Sequence, residues 1–171
     1  MGLDITAYSK LTAVGKHVAD GQWCEEDGHV TALAYDCFPA SFRGIPVLGT
    51  STYGGSAFID GGCYAETSGT ETLGFRAGSY GGYGQWRDNL RLQFNPNTDP
   101  DLPFYELIWF ADNEGCIGPD AAADLLADFR AHADVYAPPR PEPWPDYYTD
   151  KYLNWTRACE LAAEAGLIQF H

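Results

Sequence analysis

Basic side chains are scarce in this sequence. Its 171 residues hold ten Lys and Arg against 24 Asp and Glu, a formal net charge of -14. A field of that sign repels a phosphate backbone, so direct, nonspecific nucleic-acid binding is excluded. Long apolar runs are absent too. No stretch approaches the roughly 20 residues that cross a bilayer, which argues against a membrane. The opening MGLDITAYSKL carries Asp4 and alternates in polarity, unlike a signal peptide. No CxxC pair occurs. Cys24, Cys37, Cys63, Cys116 and Cys159 are odd in number and widely spaced, so the expectation is reduced thiols in a cytoplasm. Walker, Rossmann, EF-hand and zinc-finger spacings are all missing, and no metal or cofactor is expected.

What is present argues for a folded domain. Hydrophobic residues make up 45% and charged residues 20%, a balance that disfavours disorder. Aromatics at 15% and 19 glycines suit sheets joined by tight turns. The chain length fits one domain, residues 1–171. Its expected class is α+β, mainly an antiparallel sheet with about three helices.

Residues 3–9 alternate, with Leu3, Ile5 and Ala7 on one side, and read as a strand. Residues 15–29 read as a loop, 30–38 as a strand and 39–55 as irregular. Two more strands fall at 56–65 and 71–76. In 80–94, Tyr83, Trp86, Leu90 and Phe94 share one helical face. Residues 104–111 fit a buried strand or a short helix. Gly118-Pro119-Asp120 starts a helix that should run to Tyr136, with Ala122, Leu125, Leu126, Phe129 and Ala133 buried. A Pro-rich connector covers 137–145. The last helix, 146–165, turns Tyr148, Tyr152, Trp155, Cys159 and Ala162 inward and ends at Gly166. Leu167–His171 closes as a strand.

Charge is unevenly spread. From Asp99 to Asp150 twelve acids face two basic residues, Arg130 and Arg140. Between Leu73 and Phe94 the balance reverses, with Arg76, Arg87 and Arg91 against Asp88. This basic island coincides with FRAGSYGGYGQWR. Gly78, Gly81, Gly82 and Gly84 would let a ligand approach the backbone, and the helix start would favour an anion. Arg76 and Arg87 could fork onto a phosphate or carboxylate, Ser79 offers a hydroxyl, and Tyr80, Tyr83 and Trp86 offer stacking faces. The structural alternative is a strand-to-helix turn whose aromatics are core and whose arginines pair with nearby acids.

Asp112 and Glu114 lie in a Gly-bounded loop before the third helix. They could act as acid and base, hold a cation, or simply be solvated. Cys116 reads as a small buried hydrophobe rather than a nucleophile. Asp120, Asp124 and Asp128 recur every four residues, either a solvated helix face or a ladder imitating phosphates. His132 fits a core hydrogen bond, and His171 a docked strand end.

MGLDITAYSKL, FRAGSYGGYGQWR, ELIWFADNEGCIGP and Ile168-Gln169-Phe170-His171 together resemble a family of small phage and prophage proteins. Its members begin MGLDITAY and carry FRAGSYSGYxxWR, ELIxFSDxEGxIGP and SFH segments. This chain departs with Gly81 and Ala111 where the family has Ser, and residues 15–55 lack a counterpart. The resemblance implies the cytoplasm of an infected bacterium and brings no established activity. It suggests antagonism of host defence.

Three functional expectations follow. The first is a non-enzymatic binder of a small anionic, nucleotide-like ligand. Arg76 and Arg87 would meet the anion, with Ser79 in the site. Tyr80, Tyr83 or Trp86 would stack, and Asp112 and Glu114 would take hydroxyls or an amine. The second is an acidic inhibitor of a basic host protein. The third is a small nucleotide- or protein-modifying enzyme using Arg76, Ser79 and Glu114. Self-association as a homo-oligomer stays open under each.

Overall fold

The computed structural model describes residues 2–16, 32–33, 62–109, 115–136 and 145–170. The strands described are β1 (Gly2–Tyr8), β2 (Thr12–Lys16), β3 (Ala32–Leu33), β4 (Gly62–Ala65), β5 (Thr72–Ser79), β6 (Gly115–Ile117) and β7 (Leu167–Phe170). The helices are α1 (Tyr80–Phe94), α2 (Tyr105–Trp109), α3 (Pro119–Ala131), α4 (Ala133–Tyr136) and α5 (Pro145–Ala163). The class is α+β, as composition and patterning predict.

The main sheet runs β5-β1-β7-β6, every pair antiparallel. Alternation makes β1 what it is: Leu3, Ile5 and Ala7 are fully buried on one face, while Asp4 is exposed on the other. Ile5 faces Phe75 across one edge and Phe170 across the other. The helices cover this inner face. Phe75 of β5 meets Trp155 of α5 edge-on at 5.4 Å, and Phe170 lies 5.7 Å from the same ring. On α3 the stripe Ala122, Leu125 and Phe129 is fully buried, and Phe129 packs edge-on against Tyr152 of α5 at 5.0 Å. A second small sheet, β2-β4-β3, is also antiparallel.

Several expectations need correcting. Residues 12–16 form β2, where alternation is too short to stand out, and 115–117 form β6, where a loop was expected. The ambiguous 104–111 segment contains a helix, α2. The single helix expected from 119 to 136 breaks at His132, which leaves helical geometry at φ -112°, ψ 18°. Its ring packs against Phe94 at 4.5 Å.

The end of α5 shows a different division of labour from the one Gly166 suggests. Ala165 takes the left-handed turn, at φ 52°. Gly166 is needed because a Cβ there would collide with the carbonyl oxygen of Tyr8. The turn after β1 is thereby locked. The Lys10 N–H donates to Glu164 O at 2.7 Å, the Leu11 N–H to Ala165 O at 2.9 Å, and the Ser9 N–H to Glu71 O at 2.9 Å. Ala165→Gly should therefore raise stability by about 1 kcal/mol, by relieving a left-handed residue that has a Cβ. Gly166→Ala should cost upwards of about 3 kcal/mol, by forcing backbone apart. Urea denaturation of the two variants checks both signs.

Candidate functional site

The basic island falls where β5 hands over to α1, and the strand is irregular there. Leu3 faces Gly78 while Asp4 faces Arg76, so Ala77 is an extra residue, a β-bulge. Its carbonyl accepts a hydrogen bond from the Lys151 ammonium of α5, and Lys151 is only 5% exposed. A buried ammonium is costly unless hydrogen-bonded, so this contact ties α5 to the bulge. Gly78 follows at φ 129°, a conformation that side-chain-bearing residues rarely adopt. Ser79 then caps α1, its Oγ accepting from the Gly82 N–H at 3.0 Å.

Two glycines of α1 have no packing reason to be glycine among the described residues. A Cβ at Gly81 or Gly84 would meet none of their atoms within 4 Å. Glycine in a helix costs about 1 kcal/mol relative to alanine. The first turns of α1 therefore leave their backbone bare at a cost in stability.

The expected site residues do not all gather here. Arg76 is exposed on the outer face, 4.0 Å from Asp4, its guanidinium lying across Gly2. Such a pair holds Arg76 weakly. Because the neighbouring Phe75 points inward to Trp155, Arg76 points away from the helices. Arg87 lies in the helical layer, half-buried, 4.9 Å over the Tyr83 ring. The sheet separates the two guanidiniums, so a fork of both onto one anion is not what this geometry provides. Tyr83 and Trp86 are core residues. Their rings stack on each other at 6.0 Å and each on Trp155 at 5.8 Å, which takes up the faces expected to hold a base. Tyr80 is half-buried and stays beside Ser79 at the junction. Asp112, Glu114 and His171 lie outside the described residues.

The acidic ladder also changes. Asp120 and Asp124 are exposed, but Asp128 is half-buried, its Oδ2 accepting from the Phe104 N–H at 2.7 Å. Phe104 is fully buried at φ 60°, with Phe94 at 5.2 Å and Phe129 at 5.0 Å. Asp128 is thus structural. Beside it, Glu106 on α2 is pushed up to about 7, chiefly by burial, with Asp128 and Asp124 adding and its own backbone N–H opposing. Burial also raises Asp128, against the pull of the Phe104 N–H and His132.

Sequence reasoning passed over Lys151 and Glu106. Lys151 stood one turn before Trp155 on the buried stripe, which was a usable signal. Glu106 offered none, since it sat in the segment that fitted strand and helix equally. The thiols depart from expectation as well. Cys159 is free and buried, and burial raises its pKa. Cys116 is disulfide-bonded, so the five cysteines are not uniformly reduced. Among the described residues no group of three His, Cys, Asp or Glu could hold a metal, and no helix is long and apolar enough to cross a membrane.

Comparison of the chain with protein-family models, curated proteins and solved structures returns no match. Asp128→Ala should cost about 1–3 kcal/mol by stranding the buried Phe104 N–H. Asp124→Ala on the exposed face should stay within about 0.5 kcal/mol. Parallel thermal denaturation of the two variants distinguishes the structural rung from the solvated one.

Proposed function

We propose that this domain is a binding protein, not an enzyme, whose ligand is a small nucleotide-like anion docked at the bulged end of β5 and the first turns of α1. The observation that carries the reading is the bare helix start: Gly81 and Gly84 leave backbone open where nothing among the described residues fills the space. Glycine at such places suits close approach by another molecule. Positive charge flanks the spot on both sides of the strand, with Arg76 outside and Lys151 inside on the Ala77 carbonyl. The N-terminal end of α1 adds its dipole. Tyr80 is the aromatic left to stack on a base. Arg87, Tyr83 and Trp86 serve this reading only by holding α1 in place.

Such a site suits one compact anion and not a polymer, because the net charge of -14 repels extended phosphates. Joined to the resemblance to phage proteins, the capture would withdraw a signalling nucleotide from a bacterial defence system.

A panel of cyclic and linear nucleotides, screened by thermal shift, tests the reading. At least one should raise the melting temperature of the native protein, and Arg76→Ala should abolish the rise. Gly81→Ala should split the two properties, gaining about 0.5–1 kcal/mol of stability without ligand while weakening the ligand's effect. A flat panel, with Arg76→Ala indistinguishable from the native protein, would remove the proposal.

A further inference from the structure

The longest strand of the main sheet is also one of its edges. Among the described residues β5, with eight residues, pairs only with β1, whereas β6 at the opposite edge has three residues. The hydrogen bonds fix which backbone groups of β5 point where. The Ser9 N–H donates to Glu71 O at 2.9 Å, so Glu71 belongs to a hydrogen-bonded pair on the β1 side. Antiparallel pairs alternate, so Leu73 and Phe75 also turn their N–H and C=O groups toward β1. Thr72, Gly74 and Arg76 turn theirs outward. All three residues are exposed, and among the described residues no backbone group pairs with their outward side. The usual protections of an edge are missing. β5 holds no proline or lysine, and the bulge at Ala77 comes after the last open groups. The Arg76 guanidinium lies back over Gly2 and Asp4 of β1, clear of the edge. At Gly74 a Cβ would meet none of the described atoms within 4 Å.

We propose that β5 is a dimerisation edge, on which a second copy of this chain lays its own β5 antiparallel, centred on Gly74. The strand complements itself in that register. Gly74 faces the partner subunit's Gly74, and Thr72 faces the partner subunit's Arg76, as hydrogen-bonded pairs. Every outward N–H and C=O of Thr72, Gly74 and Arg76 then finds a counterpart. Centring on Leu73 or Phe75 instead would leave Arg76 or Thr72 without its match. Between the hydrogen-bonded pairs, Leu73 faces the partner subunit's Phe75. Both residues are half-buried against the core, Phe75 on Trp155, and each gains an apolar neighbour across the edge. On the outer face Arg76 opposes a threonine, so no like charges meet. The net charge of -14 is not concentrated at this edge: Arg76 is the one charged residue of β5, and Asp4 lies beside it. This match of the strand to itself favours a second copy over a foreign strand.

Sedimentation velocity on the intact protein, with no ligand present, tests this. The native protein should sediment as a dimer that dissociates on dilution. Gly74→Pro removes the outward N–H at the centre of the ladder, where an edge strand tolerates proline. It should sediment as a monomer with an unchanged far-UV circular dichroism spectrum. Cysteine cross-linking reads the register and needs no proline variant. Two Cα atoms at position 74 would stand about 5.5 Å apart, within reach of a disulfide. Two at position 72 would stand roughly 14 Å apart, beyond it. Gly74→Cys should therefore give a covalent dimer on mild oxidation, seen on non-reducing gels, and Thr72→Cys should stay at the native background. A native protein that remains monomeric at every concentration would overturn the proposal. So would a dimer that Gly74→Pro leaves intact, or cross-linking of Thr72→Cys as ready as that of Gly74→Cys. No nucleotide enters these measurements, so failure of the dimer and failure of the ligand reading are distinguishable.

Discussion

Trp155 lies fully buried on α5, and its indole meets Phe75 from β5, Tyr83 and Trp86 from α1, and Phe170 from β7. One ring thus joins two helices to two strands of the main sheet. Stacked and edge-on aromatic pairs each contribute roughly 0.5–1.5 kcal/mol beyond the area they bury. The arrangement also carries a cost. Among the described residues, the indole N–H groups of Trp86 and Trp155 have no hydrogen-bond partner. A stranded buried donor costs about 1–3 kcal/mol, so packing must outweigh polar satisfaction in this slab. The position of α1, and with it the bare glycines and Tyr80, depends on that balance.

The same slab explains why the basic island splits. A strand sends successive side chains to opposite faces, so Phe75 and Arg76 cannot both face Trp155. Once Phe75 joins the slab, Arg76 is committed to the outer face. Arg87, on the helix that the slab holds, stays with Tyr83. In the sequence the two arginines are neighbours in a cluster; in the fold they are separated by a sheet. The bulge at Ala77 partly compensates, because it lets Lys151 reach the strand end from the inside.

Elements with a clear period were legible. Leu3, Ile5 and Ala7 announced β1, and the spacing of Tyr83, Trp86 and Leu90 announced both α1 and its buried face. Tyr83 and Trp86 were expected to stack on a ligand, and their burial makes them core instead. Elements too short to show a period, β2, β6 and α2, were not legible. Nor was the break at His132, where no local residue signals an end and the ring packs on Phe94. Of the candidate site, the place on the chain was readable but the company was not. Lys151 reaches Ala77 across 74 positions, and Asp128 reaches Phe104 across 24. Such pairings are tertiary facts that a linear pattern does not carry.

The central place of β1 has a consequence in time. It pairs with residues 72–79 on one edge and with residues 167–170 on the other. During synthesis β1 emerges some 160 residues before β7, and its second edge stays unpaired for that interval. Loop closure over such a span is slow, and an open strand edge invites pairing with other chains. The contact order of this sheet is therefore high even though its helices are local. Nascent chains spend that interval with the edge of an apolar strand open to pairing.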